Sequence, residues 1–122
     1  MPNDAHLLDL KRGDVVRARL DPTEGSEQGG TRPVLVLSPD RYAKRASVVI
    51  VAPLTSQKTD NIYPHEALIA AGDGSPTQSK ALLNQLRVCS KSRITAFYGR
   101  VSDQTMLEVD AALQIAVGLE KI

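Results

Sequence analysis

Five consecutive apolar residues, Pro33-Val34-Leu35-Val36-Leu37, are stopped at once by Ser38-Pro39-Asp40. A run this short is better suited to a strand than a helix, and with no polar side to face water it must be covered on both faces. Ser47-Val48-Val49-Ile50-Val51-Ala52 repeats the pattern, and Pro53 is expected to close that strand because it has no N–H to give to a ladder. A chain of 122 residues that must bury two such strands has room for one domain with a single modest core.

The rest of the chain supplies the cover. Gly13-Asp14 opens a strand at 15–20 whose later residues alternate polar and apolar, and Asp21-Pro22-Thr23 stops it. The loop from Glu24 to Thr31 holds Gly25, Gly29 and Gly30 and is expected to be permissive and mobile. Residues 66–69 form a weaker strand ended by Gly72-Asp73-Gly74. Residues 80–83 and 85–88 read as strand with a kink at Asn84, and 94–101 supply the last strand. The period then changes: Met106, Val109, Leu113 and Ala116 mark one helix face, with Ser102 as N-cap and Gly118 as stop. Residues 1–10 are set apart as a tail, in which Asp4 through Leu10 forms a helical turn or packs on the body, and 11–122 as the domain. The expected class is mainly β with a C-terminal helix, in a small, strongly bent sheet or barrel.

Several function classes are disfavoured. The formal net charge is +1, whereas a generic nucleic-acid coating protein would be far more basic, so any such binding must use a local patch. Cys89 is the single cysteine, which forbids an internal disulfide and fits a reducing compartment. His6 and His65 fall in no metal-binding spacing, the acidic residues Asp14, Asp21, Glu24 and Glu27 read as solvated, and neither a metal nor a cofactor is expected. No phosphate-loop or Gly-x-Ser-x-Gly motif is present. The start lacks a signal-peptide pattern and no window approaches the roughly 20 apolar residues of a membrane span, so a cytoplasmic protein is expected. Tyr42, Tyr63, Phe97 and Tyr98 are too few for a base-stacking sheet.

Three places could carry chemistry. Arg32 follows the Gly-rich loop and is rooted by Pro33 and the buried strand behind it; its permanently charged fork suits phosphate oxygens, although a solvated strand-start arginine would look the same. Thr55-Ser56-Gln57 offers a hydroxyl for a phosphate and an amide for a base edge, or is simply a loop. Gln85 and Arg87 alternate with Leu86 and Val88, which puts them on one strand face for base and phosphate contacts, or on the wet side of a sheet.

In order along the chain, these segments resemble the MazF/PemK toxin endoribonucleases. The matching blocks are Arg12-Gly13-Asp14-Val15-Val16, the stretch Asp21 through Gly30, Arg32-Pro33-Val34-Leu35-Val36-Leu37-Ser38, Pro53-Leu54-Thr55-Ser56-Gln57, Leu83-Asn84-Gln85-Leu86-Arg87 and Lys91-Ser92-Arg93-Ile94. The resemblance implies an SH3-like barrel with a C-terminal helix, a homodimer, and a cognate MazE-like antitoxin. It implies metal-independent cleavage of single-stranded RNA at short motifs, by attack of the 2′-hydroxyl, leaving a 2′,3′-cyclic phosphate and a 5′-hydroxyl. By matched position Arg32 and Thr55 would be the catalytic pair, with Ser26, Glu27, Gln28, Gln57, Gln85 and Arg87 lining the RNA groove.

Two departures stand out: Val15-Val16-Arg17 where the family often carries an aromatic, and Cys89-Ser90 where it often carries an acid. Two rivals share the expected fold. A gyrase poison of the CcdB type typically ends in a tail with a Trp, and this chain has none. An SH3-like binding module would need an aromatic groove for proline-rich ligands.

Overall fold

The computed structural model describes residues 9–122, so most of the segment considered for a helical turn at 4–10 lies outside the described residues, and its last two residues, Asp9 and Leu10, are not helical. Seven strands and two helices follow in order: β1 (Asp14–Arg19), β2 (Thr31–Val36), α1 (Asp40–Arg45), β3 (Val48–Thr55), β4 (Glu66–Ile69), β5 (Ser79–Leu82), β6 (Arg87–Ser90), β7 (Ile94–Arg100) and α2 (Asp103–Ala116). Short 3₁₀ turns at Leu83–Gln85 and Lys91–Arg93 flank β6. The strands form one antiparallel sheet in the order β4-β5-β3-β2-β1-β7, with β6 added to β3. Its edges β4 and β7 do not pair, so the sheet is left open, and the fold is the expected mainly β class with a C-terminal helix in a small bent sheet of SH3-like, barrel-like form.

The apolar run that opened the sequence reading lies in the middle of this sheet. Val34, Leu35 and Val36 are all fully buried, and the side-chain alternation of a strand sends them to opposite faces. Leu35 joins a core with Val15, Ala52, Leu54 and Ile69, covered by Val109 and Ala112 of α2. Val34 and Val36 join a second core with Val16, Val49, Val51 and Ile94, completed by Leu10 from the N-terminal segment and Ala43 of α1. Both faces of one sheet are therefore load-sharing, and truncating Leu35 to Ala would cost on the order of 2–5 kcal/mol.

β3 holds this arrangement together by pairing with three strands in turn. Val48 to Val51 pair with β6, Val51 to Pro53 with β2, and Leu54 and Thr55 with β5. Pro53 was expected to end the strand, yet the strand continues two residues beyond it. Its missing N–H falls where the β6 ladder has finished and the β5 ladder has not begun, so no bond on that side is lost.

The expected kink at Asn84 is the 3₁₀ turn Leu83–Gln85, which resets the alternation beyond it. Gln85 therefore lies in a turn and not on one strand face with Arg87. Val88, expected to face the core, is 59% exposed, while Cys89 beside it is buried. The helix follows the sequence reading closely: the Ser102 side chain accepts from the Thr105 N–H at 3.2 Å, and Met106, Val109, Leu113 and Ala116 face the core. The short α1, whose inward residue is Ala43, is not marked by any sequence pattern considered above.

Candidate active site

Strand register gathers the site. β2 and β3 are antiparallel with Val34 opposite Pro53, and extending that register by two residues sets Arg32 across from Thr55. Thr55 in turn pairs with Lys80 of β5, and Lys80 with Leu68 of β4. Residues opposite one another project to the same side, so Arg32, Thr55 and Lys80 form a row crossing three strands. A groove of about 650 Å³ opens along this row, lined among others by Gln28, Arg32, Thr55, Gln57, Tyr63, Glu66, Lys80 and Gln85.

Arg32 enters the groove with its charge uncompensated. Its Nε donates to the Gly29 carbonyl at 2.9 Å and Nη1 to the Leu54 carbonyl at 3.3 Å, both neutral acceptors. Among the described residues it has no carboxylate partner, in contrast to Arg12, Lys80 and Arg100. Two carbonyls orient the guanidinium, and its remaining donors are left for an anion. The Thr55 Oγ1 accepts the Gln57 N–H at 3.2 Å in a tight turn, so the hydroxyl proton remains to be donated.

The Gly-rich loop is tied down at several points. Gly30 N donates to Asp21 Oδ1 at 2.9 Å, Leu20 N to the Gly30 carbonyl at 2.9 Å, and Gln28 N to Gln85 Oε1 at 2.8 Å. At Gly29 the approach is closest: a Cβ there would lie 2.6 Å from Thr23 Oγ1 and 2.7 Å from Asp21 Oδ1. A side chain at this position would have to displace the Thr23 hydroxyl and the Asp21 carboxylate, the latter of which holds the Gly30 N–H.

The structure thus brings Gln28, Gln57 and Gln85 to the same groove as Arg32 and Thr55. Glu27 and Arg87 line an adjoining hollow of about 460 Å³, shared with Gln28 and Gln85. Arg87 Nη1 donates to the Leu20 carbonyl at 3.0 Å. Ser26 is exposed on the loop and lines neither hollow. Cys89 lies below: burial pushes its thiol pKa up against the opposing pull of Arg87 and Arg93, which suits packing and not nucleophilic attack. Among the described residues no group of three or more His, Cys, Asp or Glu is placed to hold a metal, and no helix is long and apolar enough to cross a membrane.

Sequence reasoning passed over Glu66 and Lys80. Their ion pair spans 2.8 Å in the groove wall, with both side chains under a tenth exposed. No local pattern announces it, because the partners lie on different strands. Only the β4–β5 register, which puts Glu66 diagonal to Lys80, brings them together.

Residues 11–117 match the family described as PemK-like, MazF-like toxin of type II toxin–antitoxin system. The chain is 41% identical over 111 residues to Endoribonuclease EndoA of Bacillus subtilis (strain 168), covering 90% of this chain and 96% of that protein. Among solved structures it resembles MazF (Form-I) from Deinococcus radiodurans, with a TM-score of 0.77 and 29% identity over 89% of this chain and 96% of that one. It also resembles MazE-MazF (Form-II) from the same organism, with a TM-score of 0.71 and 28% identity over 92% of this chain and 98% of that one. With its register-built groove and a match over nearly its full length, this chain belongs to the PemK-like, MazF-like toxins of type II toxin–antitoxin systems.

Proposed function

We propose that this protein is an endoribonuclease toxin of the cytoplasm that cleaves single-stranded RNA at a short sequence motif, without a metal ion, by attack of a 2′-hydroxyl on the adjacent phosphorus. The products are a 2′,3′-cyclic phosphate and a 5′-hydroxyl. The observation that carries the reading is Arg32: a guanidinium oriented by two carbonyls, with no carboxylate partner among the described residues, across the strand pair from the Thr55 hydroxyl. In-line transfer places extra negative charge on the phosphoryl oxygens, and fixed donors aimed there lower the barrier. Arg32 neutralises that charge and donates a hydrogen bond to the departing 5′-oxygen; Thr55 donates to a phosphoryl oxygen. The proton lost by the 2′-hydroxyl is balanced by the one the 5′-oxygen takes up, both exchanged with solvent. Arginine, with a pKa above about 12, is unsuited to remove the 2′-proton, so positioning of the RNA supplies a large part of the rate.

Gln28, Gln57 and Gln85, with Glu27 and Arg87 in the adjoining hollow and Ser26 on the loop, complete the RNA path. The active species is a homodimer, and a cognate MazE-like antitoxin restrains it; the likeness to the Deinococcus radiodurans MazE-MazF structure supports the antitoxin. Purified protein incubated with a long RNA in EDTA is expected to produce 5′ ends at one recurring short motif. Intact RNA together with inhibition of DNA gyrase would overturn the reading in favour of a CcdB-type poison.

A further inference from the structure

The groove differs in charge from one end to the other. At Arg32 the cation faces neutral carbonyls, whereas at Lys80 the ammonium is met by the Glu66 carboxylate at 2.8 Å and by the Asn61 carbonyl at 3.0 Å. Glu66 Oε1 also accepts the Tyr63 N–H at 3.0 Å, which fills its two lone-pair directions. One Lys80 N–H, on an ammonium 5.8 Å from the centroid of the Tyr63 ring that also lines the groove, and the Glu66 Oε2 remain. No buried side-chain oxygen or nitrogen among the described residues lacks a partner, so Oε2, for which no partner is found, is open to the groove and not sealed in its wall.

The pair ties the loop before β4 to β5 through the Asn61 carbonyl and the Tyr63 N–H, but packing alone does not call for two charges there. Side chains 6% and 8% exposed lose most of their hydration, and apolar replacements of similar volume are often as stable or more so. Ser79, Ala81 and Leu82, the other residues of β5, are buried without any such charge. A phosphate would not be drawn here, since Glu66 cancels the lysine and repels an anion. A nucleobase edge fits: a fixed N–H donor at Lys80 beside a fixed acceptor at Glu66 Oε2 tells bases apart by the order and spacing of acceptor and donor along their pairing edges.

Building on the ribonuclease reading, we propose that Lys80 and Glu66 form a base-reading subsite that selects the nucleotide next to the scissile phosphate. The register sets its position. Lys80 is the direct cross-strand partner of Thr55, so their backbones are one strand spacing apart, about 4.8 Å, and the Lys80 side chain projects to the same face as the hydroxyl assigned to the phosphate. The row Arg32, Thr55, Lys80 then reads as two phosphate contacts followed by a base contact.

The two kinds of contact leave different traces. Losing a phosphate contact weakens all sites alike, and losing a base contact relaxes choice at one position. Wild type, Lys80→Met/Glu66→Leu and Glu66→Gln are each given a randomised RNA, and the cut sites are sequenced and normalised to total cleavage. The double variant removes both charges together, so neither is left buried alone, and thermal unfolding reports whether it folds. Expected is a loss of roughly ten-fold in discrimination at one position adjoining the cut, with the other positions unchanged. Glu66→Gln keeps the side-chain volume and is expected to alter the preferred base at that same position. Unchanged cut-site profiles in folded variants that still cleave, or a uniform fall at all sites, would overturn the subsite while leaving the ribonuclease reading in place. No cleavage by wild type overturns both.

Discussion

At the scale of single residues, Arg32 shows what the fold adds to a side chain. An arginine at a strand start is commonplace; this one is aimed by the Gly29 and Leu54 carbonyls and faces a hydroxyl across the ladder. Arg32→Ala is expected to lower RNA cleavage by at least a hundred-fold, on the scale of losing one transition-state donor. Its thermal unfolding should stay close to wild type, since the side chain joins neither core. Cleavage at the wild-type rate in that variant would remove Arg32 from the chemistry. From its setting between a Gly-rich loop and a buried strand Arg32 could equally be a solvated strand-start arginine, and only the resemblance to the MazF/PemK toxins singled it out. The Lys80–Glu66 pair was not legible in the sequence, because lysine at a strand start and glutamate after a histidine are ordinary until β4 and β5 are laid side by side.

Elements whose information is local were readable in advance, and those that depend on neighbours were not. The terminal helix carries its own cap and period, and it forms where Ser102 and Met106 to Ala116 place it. Ser102→Ala is expected to lower stability by about 0.5–2 kcal/mol, measured by urea unfolding. The bonds that Asp73 makes to the Ser102 N–H and Thr105 should keep the loss toward the lower end. Pro53 misled because its tolerance rests on a gap between two partner strands, and Gln85 because the turn before β6 shifts the alternation. The β4–β5 hairpin adds a pH dependence. Burial raises the Glu66 pKa, but the Lys80 ammonium and the Tyr63 N–H outweigh it and bring the pKa below its ordinary 4.5. A carboxylate with a depressed folded pKa contributes its stability above 4.5 and loses it as pH falls through the folded value. Wild type should therefore lose more stability than Lys80→Met/Glu66→Leu on acidification below about pH 4.5, a difference that thermal melts across that range would register.

For the whole molecule, the decisive feature is the strand that changes partners. β3 is laddered in succession to β6, β2 and β5, and Thr55 is its last residue. Backbone amides along such a strand open only when most of the sheet comes apart, whereas those at the loop tip, Gly25 and Ser26, exposed and outside any ladder, are expected to open locally. Native-state hydrogen exchange should find Val49, Val51 and Ala52 protected to nearly the full unfolding free energy, and Gly25 and Ser26 exchanging many orders of magnitude faster. Equal rates in the two segments would contradict this. One margin of the groove is thus moored to the thrice-paired strand and the other to a loop held by a few side-chain bonds. A molecule seated between them meets a rigid anvil on the β3 side and a yielding jaw on the loop side, so differences in fit between guests are absorbed by the loop, with Thr55 held in place.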